Sequence, residues 1–407
     1  MKTNKKKPTK SRKLADLIDL LWRSPVFGDS FPNKIEASPT LAQFTSIYPH
    51  FIETILPILQ QGTPNAQKSE LNAIIDEIAP KSIAFCASIS AGEIQNIEHL
   101  SDAAVAISLS YWADQSMDRG DNAMHLAVEY LNHQNISSQN LTAEQFLTRL
   151  EALRHIQRLA NRITLSEDLP YVQQAIERDV LGQQAKIRNF SQKFKEDQAD
   201  LFWKTHAEEV AQTMIDSSGL MSAVSVIYAI YRHRDPKLPS LNEIYSHPKL
   251  MQLVRGTFNS AVRVFDDAGD YYTDTGQDTN WGEFNLNIFN QAHPTLIKAF
   301  LDYSQISEKD PLYAEALSSF SLPISHSRIT VSTLYLNMAR ERVQTLPISL
   351  LTHYSLFITL CKRTLEAGFV NILGDMFLSE NAQLSAPNVD LYKQLAPDSA
   401  SLLLDRR

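Results

Sequence analysis

Glycine is scarce in this chain. Its 407 residues include twelve, about 3% where roughly 7% is usual, and no Gly-rich loop occurs. A parallel α/β enzyme or a turn-rich β protein spends more glycine than this on its tight connections. The deficit therefore predicts an all-α fold. Hydrophobic periodicity agrees. Helices are expected over about 47–60, 70–89, 94–131, 143–160, 169–198, 201–231, 241–274, 294–303, 311–320, 332–342 and 349–379. Thr142 with Gln145 and Ser240 with Glu243 have the spacing of capping boxes.

The remaining composition removes other classes. Two cysteines, Cys86 and Cys361, are too few for a disulfide framework or a cysteine-based zinc site. A net charge of -8 argues against a general nucleic-acid binder. The longest apolar run, Ser218 to Tyr231, is too short to span a bilayer and reads as a buried core helix. Residues 1–23 form a basic arm leading into a short helix, 24–380 a single helical catalytic domain, and 381–407 a tail. The arm has no signal-peptide core, so the expected location is cytoplasmic or membrane-peripheral, its lysines offering contact to an anionic surface. A monomer or homodimer is expected.

Acidic residues gather at helical spacing in two places. The sharper is RVFDDAGDYYTDTGQD, where Asp266, Asp270 and Asp274 are four apart and Asp267 joins by a three-then-four pattern. No lysine lies between Lys249 and Lys298 to relieve their repulsion. A divalent cation would relieve it, and hard carboxylate oxygens select Mg²⁺ or Mn²⁺. The other place is SLSYWADQSMDRGD, with Asp114 and Asp118 at i,i+4 and Asp121 continuing the stripe. Two such clusters facing one another would suit a diphosphate ester, whose leaving oxygens are stabilised by metal ions. Tyr111, Trp112, Phe258, Phe265, Tyr271 and Tyr272 neighbour the acids, with Tyr228 and Tyr231 on the apolar helix, and offer an aromatic wall for a carbocation. Arg263, one turn before Asp267, leads the basic candidates for the phosphate, followed by Arg255, Arg119, Lys186, Arg188 and the Arg232-His233-Arg234 group.

These motifs resemble those of the class I isoprenoid synthases. DDAGD matches their aspartate-rich DDxxD pattern, and YWADQSMDRGD is similar to a segment of bacterial large-terpene synthases of the tetraprenyl-β-curcumene synthase kind and of head-to-head squalene and phytoene synthases. The resemblance implies a helical bundle around a deep apolar cavity, three Mg²⁺ ions and a linear polyprenyl diphosphate substrate. It assigns metal binding to Asp114, Asp118, Asp121, Asp266, Asp267, Asp270 and Asp274. Catalysis then falls to Asp114, Asp118, Asp266, Asp267, Asp270 and Arg263. The expected reaction is ionisation with release of diphosphate to a linear or cyclic terpene. A head-to-head or chain-elongating prenyltransferase is the alternative within the class. No NSE triad is recognisable and no DxDD motif occurs, so initiation by alkene protonation is not expected.

Rival classes fit less well. A di-iron bundle wants Glu-x-x-His pairs, and none of the eleven histidines has glutamate three residues before it. A hydrolase of the HD kind wants adjacent His-Asp, which is also lacking. A noncatalytic helical scaffold would leave the two clusters pointing apart.

Overall fold

A computed structural model describes residues 39–63, 93–118, 120–131, 143–276, 286–291 and 293–378, with scattered residues between 71 and 90. The basic arm, the tail, Thr142 and most of the helix expected over 70–89 lie outside the described residues. Among the described residues every regular element is helical and no strand occurs.

Among the described residues, four continuous helices make one side of the molecule. These are α1 (Pro39–Gly62), α2 (Ile97–Asp118), α3 (Asn122–Leu131) and α4 (Ala143–Ile163). Helix α2 packs on α1 and α4, and α3 on α4. Next come α5 (Leu169–Gln173), a π-helical stretch Gln174–Leu181, α6 (Gly182–Lys193) and α7 (Ala199–Asp216). Helix α8 (Leu220–Arg234) is followed by α9 (Leu241–Ser246), α10 (Pro248–Leu253), a π-turn Val254–Phe258 and α11 (Asn259–Gly276). The rest are α12 (Pro294–Tyr303), α13 (Pro311–Phe320), α14 (Ile324–Gln344), α15 (Ile348–His353) and α16 (Ser355–Leu378). Helix α11 packs on α14 and α16, and α7 on α12, forming the other side.

Helix α8 joins the two sides. It touches α2 and α4 on one flank and α11 and α16 on the other. Twelve of its fifteen residues are buried, which is what a helix apolar on all faces must do. Burying each Val, Leu or Ile side chain there stabilises the fold by about 1.5–3 kcal/mol. The stretch Glu196–Arg234 has the length and hydropathy of a membrane span, but 72% of its most apolar window is buried inside the fold. It is also broken in the middle. An aspartate at Ile227, which is fully buried, is the single change best placed to disrupt the joint.

The breaks have local causes. Helix α2 ends in a Schellman motif: Gly120 sits at φ 82°, its N–H bonds to Met117 O at 2.9 Å, and the Asp121 N–H reaches Ser116 O at 2.9 Å. The expected continuous helix over 94–131 is therefore two. Likewise α7 and α8 are separated at Ser217 to Gly219, where Gly219 takes φ 76°. No atom lies within 4 Å of a Cβ built there, so the left-handed backbone, and not a close approach, is what requires glycine. Pro248 starts α10 and divides the expected helix over 241–274. Ser240 does cap α9, accepting the Glu243 N–H at 3.1 Å.

The π-turn has its own support. Arg342 of α14 donates to Thr257 Oγ1 at 2.6 Å and to Ser304 O at 2.8 Å. Gln305, at φ 62°, donates to Gln252 O at 2.9 Å. The Gln305 side chain crosses directly over Gly256, in the space a Cβ would take, on its way to Gln252 O.

Candidate active site

The two acidic stretches lie on helices flanking α8. Helix α2 carries Asp114 and Asp118, and α11 carries Asp266, Asp267, Asp270 and Asp274. Asp114 is half-buried. Asp118, Asp270 and Asp274 are in helix, but their side chains lie outside the described residues, as does Arg119.

Asp121 has a structural occupation. Its Oδ1 accepts the Met124 N–H at 3.0 Å, capping α3. Its Oδ2 takes Arg149 Nε at 2.8 Å, and the Arg149 guanidinium lies 5.5 Å from the Trp112 ring centroid. The third acid of the first stripe thus serves the turn between α2 and α3.

On α11 the paired aspartates differ sharply. Asp266 is 57% exposed, with its Oδ2 3.6 Å from Arg263 Nη1. Asp267 is 1% exposed, with its Oδ1 2.5 Å from Arg263 Nη2. The other oxygen of Asp267 accepts the Ile288 N–H at 2.8 Å. Arg263 also donates to Leu286 O at 3.2 Å. Its guanidinium is thereby fixed at the boundary of the core, 15% exposed. Successive helix positions are about 100° apart, which is why neighbours in the sequence meet water and core respectively.

A second cation packed against this helix escaped sequence reasoning. Arg328 of α14 is buried, donates from Nε to Ala268 O at 2.5 Å, and stands 5.5 Å over the Tyr271 ring. It stands four residues before the helix expected over 332–342, which in fact begins at Ile324, and its approach to Ala268 depends on how α14 packs. The other basic candidates divide. Arg232 is sealed against Asp168 at 2.7 Å and also pairs with Glu167, so it belongs to the fold. Lys186 and Arg255 are exposed and lie near Asp216, whose carboxyl is raised above its ordinary range by burial, with the Tyr303 hydroxyl, donating at 3.1 Å, acting against that. The Arg188 side chain is outside the described residues.

Four of the eight residues of the expected aromatic wall, Trp112, Phe258, Phe265 and Tyr228, are buried core. Phe265 meets Phe369 edge to face at 5.5 Å and Tyr228 meets Phe357 at 5.4 Å; Phe258 is fully buried. An open depression of about 440 Å³ is lined by Glu196 to Leu201, away from both acidic stretches in the sequence.

Asp266 presents an exposed carboxylate, a hard oxygen donor of the kind Mg²⁺ takes, with the Arg263 guanidinium 3.6 Å away as a competing cation. Among the described residues no three His, Cys, Asp or Glu side chains converge on one point, and the three undescribed aspartate side chains stand outside that statement. No protein-family model, curated protein or solved structure matches this chain.

Proposed function

We propose that the protein is a Mg²⁺-dependent class I terpene synthase that ionises a linear polyprenyl diphosphate and releases diphosphate. The observation that carries this reading is the surface of α11, where an exposed Asp266 and a fixed Arg263 guanidinium stand side by side. A carboxylate for metal and a cation for phosphate are the two groups such a substrate requires. A bound Mg²⁺ would supply Lewis-acid stabilisation of the charge growing on the leaving diphosphate.

The chain's own residues would do the rest. Asp266, Asp270 and Asp274 on α11 and Asp114 and Asp118 on α2 would hold metal, with Mn²⁺ able to substitute. Arg263 would orient the phosphate oxygens, held in place by Asp267. The apolar bundle would exclude water from the cation left behind. The left-handed break at Ser217 to Gly219, with nothing within 4 Å of Gly219 on its Cβ side, interrupts the apolar helix pair where a substrate chain could approach backbone. The fold would be an isoprenoid-synthase-type bundle and the setting cytoplasmic or membrane-peripheral.

The test is incubation of purified protein with Mg²⁺ and prenyl diphosphates from C10 to C35, analysing extracts for hydrocarbon and the aqueous phase for diphosphate. Hydrocarbon with matching diphosphate release is the expected result. A longer prenyl diphosphate would instead identify a condensing enzyme. No conversion of any chain length would overturn the reading.

A further inference from the structure

Asp266 and Asp267 form one motif in the sequence and two different environments in space. Asp267 is engaged through both carboxylate oxygens and its backbone carbonyl. One carboxylate oxygen holds Arg263 at 2.5 Å and the other holds the Ile288 N–H at 2.8 Å. Its backbone carbonyl accepts from Asn287 Nδ2 at 2.7 Å, while Asn287 Oδ1 accepts the Phe289 N–H at 3.0 Å. Arg263 completes the ring by donating to Leu286 O. Three successive residues of the 286–291 turn are thus tied to one turn of α11.

We infer that Asp267 is a positioning residue that clasps this turn and aims Arg263, and that the cation on α11 is held by Asp266 and not by Asp267. The inference rests on the reading of this helix as a metal and diphosphate site. Turning Asp267 toward a metal would break its ion pair with Arg263 and strand the buried Ile288 N–H. Among the described residues, turning Asp266 breaks only a 3.6 Å contact at an exposed position. Positioning through Asp267 also explains why the Arg263 side chain, on a helix face that could carry it into solvent, is 15% exposed and fixed.

The experiment uses the full chain and two probes, Mn²⁺ followed by electron paramagnetic resonance and inorganic diphosphate followed by calorimetry. Asp266→Asn should weaken Mn²⁺ binding by about tenfold or more, the loss of one charged ligand. Asp267→Asn should leave Mn²⁺ binding within about threefold while weakening diphosphate by about tenfold, as Arg263→Ala does. Combining Asp267→Asn with Arg263→Ala should add little to either alone, because the two act as one unit. If Asp267→Asn weakens Mn²⁺ as much as Asp266→Asn, Asp267 is a ligand and the inference fails while the site reading stands. If the wild-type protein takes up neither probe, the site reading fails and takes the inference with it. Should Asp267→Asn not fold, Asn287→Ala carries the test, since it loosens the turn without touching a carboxylate. It should lower diphosphate affinity several-fold at unchanged Mn²⁺ affinity, and unchanged diphosphate affinity would overturn the inference.

Discussion

Two buried Asp–Arg pairs in this molecule are built on the same plan. In each, one carboxylate oxygen takes a guanidinium and the other a backbone N–H from a later turn. Asp168 holds Arg232 Nε at 2.7 Å and the Leu241 N–H at 2.7 Å. Asp267 holds Arg263 at 2.5 Å and the Ile288 N–H at 2.8 Å. They differ in what the arginine has left to offer. Arg232 is 3% exposed and its remaining donors go to Pro236 O, Leu238 O and Glu167. Arg263 is 15% exposed and flanked by a solvent-facing aspartate. A sealed arginine closes a corner of the fold; under the proposed function, one at the core boundary beside an exposed acid would meet the diphosphate.

The sealed pair should give the largest loss of stability. Asp168→Ala would leave Arg232 in the core without its main counter-charge and the Leu241 N–H unpaired, at a cost of about 3–5 kcal/mol. Urea denaturation measures it. Replacing both residues with apolar ones should cost less than either single change, because no orphaned charge remains. A single-variant loss below about 1 kcal/mol would remove the distinction between the two pairs.

A third pair sharpens the contrast through pH. Asp102 is buried in α2 and its partner, Arg162, is 59% exposed, at 2.7 Å. Burial pushes the Asp102 carboxyl up to about 6 despite the nearby Arg162. The folded state therefore holds this proton more tightly than the unfolded chain. Its contribution favours folding below the ordinary carboxylate range and is lost as pH rises through about 6. Asp102→Asn should erase that dependence, so the variant should gain on the wild type in urea midpoint between pH 5 and pH 7. Parallel midpoints at both pH values would show that Arg162 offsets the burial. Neither of the other two pairs rests on so exposed an arginine.

The all-helical fold was legible because its signals are local. Scarce glycine and 3.6-residue periodicity act within a few turns, and α12 (Pro294–Tyr303) and α13 (Pro311–Phe320) fall on the expected ranges. The helix breaks were less legible, although Gly120, Gly219 and Pro248 stood in the sequence to mark them. Each lies inside an apolar or amphipathic pattern that continues across it, and periodicity alone runs through. The site was legible only as a list of residue types. Spacing put Asp266 and Asp267 together on one stripe, yet the 100° between them decides which meets water. Arg328 at Ala268 and Arg232 at Asp168 join residues 60 and 64 apart. Such contacts depend on how helices settle against each other, which no single segment encodes.

The smallest effect on stability is expected at the residue with the largest assigned role. Asp266 is 57% exposed and its one described contact with Arg263 is 3.6 Å long, within the range where an exposed pair contributes about 0–1 kcal/mol. Asp266→Asn should therefore leave the urea midpoint nearly unchanged, within about 0.5 kcal/mol. Its effect on turnover of a polyprenyl diphosphate should be severe if α11 holds the cation. Stability and activity would then separate at adjacent residues, with Asp267 costing both and Asp266 only activity. Full activity in a stable Asp266→Asn variant would reduce its exposed carboxylate to a solvated surface charge, and the α11 pair would become a second closed corner like that of Asp168.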